Sequence, residues 1–207
     1  MENFYLNFKN IDNLEDKLSG KLPVNRDELI ALINTHGRTS SYLYIKSEKY
    51  NKDMRIQNNE LELTYLPLEN LDVSQIKNFN EVFMNSLYNG DLSKWDFSNA
   101  QSFKGMFAYS KFNNNSLKNF NFKNIKDAIC MFTDSKFCGD ISGWINYENT
   151  NLLHMFSFNK DFQTKYCFDN KIESYKVKQW LDENLERIRE INRPKDEFVL
   201  DYFDFDR

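Results

Sequence analysis

A step of 24 or 25 residues runs through the middle of this 207-residue chain and constrains its fold more than any other feature. Val82-Phe83, Met106-Phe107, Met131-Phe132 and Met155-Phe156 recur, with their phenylalanines 24, 25 and 24 residues apart. Leu71, Trp95, Phe120 and Trp144 keep the same step, as do Ile76, Ala100, Ile125 and Asn149, and also Tyr88, Phe112 and Phe137. A single coil of this length cannot bury its own apolar side chains. Stacked coils can, because equivalent residues pile into rows that merge into one core. Phe83, Trp95, Phe107, Phe120, Phe132, Trp144 and Phe156 are therefore the expected repeat core.

Between the second and third rows lies a short polar–apolar alternation: Leu71-Asp72-Val73-Ser74, Trp95-Asp96-Phe97-Ser98 and Phe120-Asn121-Phe122-Lys123. A period of two predicts a short strand or an extended turn. The fourth copy, Trp144-Ile145-Asn146-Tyr147, is slipped by one residue and is expected to be irregular. Asn89-Gly90-Asp91 and Cys138-Gly139-Asp140 carry turn chemistry, and Asn114-Asn115-Ser116 stands in the intervening copy, where asparagine suits a positive φ. Repeated Asp-x-Ser predicts side-chain-to-backbone bonds at the coil corners rather than a calcium site.

Tyr88-Asn89-Gly90-Asp91-Leu92-Ser93-Lys94-Trp95-Asp96-Phe97-Ser98-Asn99-Ala100, followed by Met106-Phe107, resembles the signature of BspA-like leucine-rich repeat proteins, the mycoplasma lipoprotein-type repeat. Phe137-Cys138-Gly139-Asp140-Ile141-Ser142-Gly143-Trp144 is a second match. The resemblance spans about residues 22–162 and implies a leucine-rich-repeat-like solenoid without catalytic residues. The third copy lacks the Gly-Asp pair and the tryptophan. The expected fold is an α/β repeat: a short leucine-rich-repeat-like solenoid of three to four 24–25-residue coils with N- and C-terminal helical caps. The expected division is a cap at 1–70, coils at 71–165, and a capping helix with a tail at 166–207.

Asn25 stands three residues before Glu28, which predicts a capping box opening a helix over about 25–35, stopped by Gly37. Tyr42-Leu43-Tyr44-Ile45 and Leu61-Glu62-Leu63-Thr64-Tyr65 read as strands. Val177, Trp180, Leu181, Leu185, Ile188 and Ile191 recur at helical spacing, predicting a helix over 172–191 that ends at Arg193-Pro194, with Trp180 on the last coil. The tail alternates acids and aromatics. Asp196, Glu197, Phe198, Asp201, Tyr202, Phe203, Asp204, Phe205 and Asp206 are the candidate protein-binding residues, with a segment packed on the chain's own surface as the plainer alternative.

A net charge of −4 disfavours a general phosphate-backbone binder. Three cysteines without a CxxC pair form neither a disulfide framework nor a standard zinc site. The sequence holds no phosphate-binding glycine loop, HExxH or nucleophile elbow. His36 reads as a residue beside a helix stop, and Cys130 and His154 occupy one repeat slot without a third group to orient them. No catalytic, metal or cofactor site is expected. No run is long enough to span a bilayer, and residues 1–8 lack the features of a secretory signal, so the expected location is cytoplasmic. The expected role is non-catalytic protein binding, as by an intracellular inhibitor such as a phage anti-defence (anti-CRISPR) or immunity protein. Its partner would be another protein, for example a basic nucleic-acid-binding protein or ribonucleoprotein. The alternatives are a surface or adhesion-type repeat protein and a cryptic enzyme.

Overall fold

The structure, a computed structural model, describes residues 8–37, 66–169 and 176–194. Four α-helices lie among them: α1 (Leu14–Leu18), α2 (Arg26–Asn34), α3 (Lys160–Tyr166) and α4 (Val177–Asn192). Over residues 66–159 the backbone winds through irregular coils joined by isolated parallel bridges. Asn78 pairs with Ser102, Ser102 with Asp127, and Asp127 with Asn151, one residue from each coil.

The expected α/β leucine-rich-repeat solenoid is therefore incorrect, since the described residues contain no β-strand and no sheet. The reason lies in the backbone. Glu81, Gly105, Cys130 and His154 form one column of residues at φ 56–60°, and Asn85, Tyr109, Asp134 and Phe158 form a second at φ 48–59°. Two left-handed residues per coil interrupt the extended φ that a strand requires. The N–H groups of Phe79, Glu81, Phe83 and Asn85 donate to the carbonyls of Ser102, Lys104, Met106 and Ala108 at 2.9–3.0 Å. The intervening N–H groups of Val82, Met84 and Ser86 turn back to Phe79, Glu81 and Phe83 of the same coil. Phe103, Gly105, Phe107 and Tyr109 repeat the inter-coil pattern, as do Ala128, Cys130, Phe132 and Asp134. Backbone groups that a sheet would pair on both sides are satisfied half by the next coil and half by local turns.

The alternating segments expected as strands are turns instead. Asp72, Asp96 and Asn121 accept from the backbone N–H groups of Ser74, Ser98 and Lys123 at 2.8–3.0 Å, so the polar residue of each copy closes a corner. The slipped fourth copy is absorbed at Asn146, whose φ of 61° accommodates one extra residue; Tyr147 and Thr150 then stand beneath Phe122 and Ile125, and Thr150 donates to the Ile125 carbonyl. Asn149 is thus displaced from the row read in the sequence. Asn114 is extended at φ −100° and accepts from the Ser116 N–H, so the positive φ expected there is not adopted.

The core is a stack of aromatic rings. Phe83, Phe107, Phe132 and Phe156 lie 5.0, 5.4 and 5.9 Å apart with interplanar angles of 12°, 1° and 7°. Phe112 and Phe137 lie beside Phe107 and Phe132 at 4.3 and 4.1 Å. Trp95 and Trp144 are buried, and their indole N–H groups donate to the carbonyls of Leu68 and Leu117 in the preceding coil. Phe79, Phe103, Ala128 and Leu152 form a further buried row. Gly90 and Gly139 serve space rather than conformation: a Cβ would lie 2.3 Å from the Tyr88 Oη and 2.8 Å from the Phe137 Cε2.

Both ends of the stack meet helices. In α2, Asn25 accepts from the N–H groups of Asp27 and Glu28 while the Glu28 carboxylate accepts from the Asn25 N–H. Leu29, Leu32 and Ile33 are buried, and the Arg26 guanidinium donates to the Asn80 carbonyl of the first coil at 2.6 Å. At the other end Phe162, from α3, stacks on Phe156 at 3.8 Å and 4°. Trp180 of α4 packs on Phe162 and Phe168, and the Tyr147 hydroxyl donates to Asp182 at 2.7 Å. Arg193 is extended, as the residue before Pro194 should be. The strands expected over 42–45 and 61–65 lie outside the described residues.

Phe132 is 0% exposed and contacts rings above, below and beside it. Phe132→Ala is expected to destabilise the protein by about 3–5 kcal/mol, read as a lowered midpoint in urea unfolding. Phe132→Leu should recover much of the loss.

Candidate interaction surface

The seven residues named as repeat core are buried, so they hold the coils together and do not present themselves to a partner. The nine tail residues from Asp196 to Asp206 lie outside the described residues. What the coils do expose is set by the ladder. The second left-handed column displays Tyr109 at 46% and Phe158 at 65% exposure, whereas Asn85 in the same column is buried. Asparagine, aspartate and glycine adopt this conformation at least cost, and Asn85 and Asp134 occupy it in the neighbouring coils. Aromatic residues there bear a backbone penalty of about 1–2 kcal/mol each while much of each ring stays exposed.

Two residues further on, Leu87, Lys111, Lys136 and Lys160 form an exposed column at the same step. The Lys136 ammonium pairs with Asp161 at 3.2 Å. This column lies beside the serine row that anchors each turn. Ser86, Ser110 and Ser135 are buried, and their hydroxyls accept from the N–H groups of Tyr88, Phe112 and Phe137. Asn159 takes the serine place in the last coil. Its amide donates to the carbonyls of Phe132 and Phe137 and to the Ser135 hydroxyl, while its Oδ1 caps α3 through the Phe162 N–H. The exposed columns are therefore mounted on a fixed backbone. The sequence reading missed the left-handed columns and the serine row; the step of 24, 25 and 24 at Ser86, Ser110, Ser135 and Asn159 was the available signal.

The titratable groups serve the fold. Burial pushes the Asp140 carboxyl up, but the Ser142 N–H and hydroxyl and the Lys118 ammonium outweigh it and hold it below its ordinary value of 3.8. Burial lowers His36, against the opposing effects of the Leu66 carbonyl and Glu69; its ring is half-buried and stands edge-on to Tyr88 at 4.9 Å. The Tyr88 hydroxyl is buried without a hydrogen-bond partner among the described residues, and burial followed by Glu69 and Asp91 pushes it up. Cys130 and His154 share the first left-handed column; the Cys130 N–H donates to the Leu153 carbonyl, and His154 Nδ1 lies 3.2 Å from the Ser157 hydroxyl. Among the described residues no three of His, Cys, Asp or Glu gather as metal ligands, and no helix is long and apolar enough to cross a membrane.

A family model described as "Mycoplasma protein of unknown function, DUF285" matches residues 52–171, more than half of the chain. Neither a curated protein nor a solved structure matches it.

Two outcomes follow from this geometry. Tyr109→Val is expected to destabilise the protein by about 1–2 kcal/mol because a β-branched residue is strained at positive φ, whereas Tyr109→Asn should not; thermal unfolding separates them. Because the folded-state value of Asp140 is depressed, its contribution is fully present above pH 3.8 and is lost as the pH falls through the folded value. Asp140→Asn should cost about 1–3 kcal/mol near neutrality, with the gap to the parent protein closing below pH 3.8 in urea titrations.

Proposed function

Since the chain belongs to the DUF285 family, we propose that it is a non-catalytic protein-binding module that presents exposed side chains in rows, one from each stacked coil. The observation that carries this reading is the pair Tyr109 and Phe158, two exposed aromatic side chains held at positive φ on a surface column. Backbone strain kept at largely exposed positions clusters at binding surfaces. Aromatic side chains are also the residue type that anchors protein–protein contacts. The Leu87, Lys111, Lys136 and Lys160 column alongside supplies an apolar contact and a charged rim. The inter-coil bonds beneath both columns limit the entropy that binding costs. With a net charge of −4, the chain favours a protein partner over bare nucleic acid. Occlusion of that partner's working surface, as by an inhibitor, is the mode of action that fits a small binding module.

The double variant Tyr109→Gly/Phe158→Gly tests this, because it removes both anchors while relieving the backbone. Its melting temperature should match or exceed that of the parent. A stoichiometric partner captured by the parent from a lysate of the source cells should be lost. Undiminished capture by the double variant would remove these columns from the binding surface.

A further inference from the structure

A second surface of the coils differs in chemistry from the aromatic columns. Ser98, Gln101, Lys123, Asn124, Lys126 and Asn149, drawn from three successive coils, line a cleft of about 390 Å³. No carboxylate is among its lining residues, and Ile125 is its one apolar contributor. Neither the Lys123 nor the Lys126 ammonium enters an ion pair among the described residues. Two uncompensated cations three residues apart, in a chain whose net charge is negative, make this cleft a local positive field.

The backbone around the cleft is fixed. The Gln101 N–H donates to the Lys77 carbonyl and the Lys126 N–H to the Gln101 carbonyl, both at 2.8 Å. The Asn124 amide donates to the Ser98 carbonyl at 2.7 Å, and the Lys123 N–H to Asn121 Oδ1 at 2.9 Å. These bonds set where the two lysine stems leave the surface, while the ammonium groups, the Gln101 and Asn149 amides and the Ser98 hydroxyl remain as donors. Such a lining is rich in donors and lacks anionic acceptors.

We infer that this cleft is a binding site for a phosphate-type oxyanion, either free or as the monoester of a small polar molecule. A tetrahedral oxyanion offers several acceptor oxygens at once and relieves the mutual repulsion of Lys123 and Lys126. Lysine binds such groups as a point charge without demanding the planar geometry of a carboxylate. The site is independent of the protein-binding surface proposed above, since none of its residues belongs to the Tyr109 or Lys111 columns.

The test is a titration of the uniformly ¹⁵N-labelled full chain with inorganic phosphate and, separately, with glycerol 3-phosphate. Ionic strength is held constant with chloride. Saturable shifts of the Gln101, Asn124 and Lys126 backbone amides are expected. Tighter binding of the ester would assign an organic body to the cleft, and equal binding would assign the free ion. Lys123→Gln/Lys126→Gln should weaken binding by about tenfold or more, and Lys123→Arg/Lys126→Arg should retain it. Both side chains are exposed, so an unchanged melting temperature shows that the variants are folded. Shifts that fail to saturate with either probe, or equal affinity in the glutamine variant, would overturn the site. Neither result bears on partner capture through Tyr109 and Phe158.

Discussion

Phe83, Phe107, Phe132 and Phe156 can lie face to face only because the backbone beside each ring is tied to the same point of the next coil. In each step four N–H groups at alternate residues, from Phe79, Glu81, Phe83 and Asn85 in the first coil, reach the next coil and help fix that register. The N–H groups between them close turns within the coil, and this division requires the two left-handed columns. Slip by one residue would move a left-handed residue under one that is not, and would turn a ring out of the stack. Register, ring stacking and backbone conformation are thus one constraint expressed three ways. It gives the coils their cohesion without a sheet.

The same constraint decides what the outside offers. In the left-handed columns Glu81, Tyr109, Asp134, His154 and Phe158 are exposed, so side-chain identity at these positions is freed from packing. Glutamate, glycine, cysteine and histidine share one column, and asparagine, tyrosine, aspartate and phenylalanine the other. Columns that face solvent can accumulate recognition chemistry without disturbing the ring stack. The exposed aromatics Tyr109 and Phe158 are such an accumulation.

The ends of the stack are handled by substitution within the rows. Phe162 extends the ring stack from α3 in place of a further coil. Asn159 replaces the row serine and at the same time caps the helix that carries Phe162. The last coil is thereby closed by residues that still obey the repeat. At the first coil, α2 does comparable work through Leu29, Leu32, Ile33 and Arg26.

The period, the stacked phenylalanines, the tryptophan row and the capping box at Asn25 and Glu28 were legible in the sequence, because each is a statement about spacing and residue type. Burial of those rows follows from the hydrophobic effect once coils of equal length must share a core. The sequence did not determine how the backbone between the rows would run. Leu71-Asp72-Val73-Ser74 and its equivalents read as strands, since alternation fits an extended chain and an Asp-closed corner equally well. Only the tertiary stack, by pulling alternate N–H groups to the next coil, put Glu81, Tyr109, Cys130 and Phe158 into a conformation that their own side chains disfavour. Local preference is worth about 1–2 kcal/mol per residue, and the cooperative gain from registering whole coils against one another exceeds it. The rows could therefore be read from composition and spacing, while the outward columns, and with them the candidate surfaces, were decided by packing.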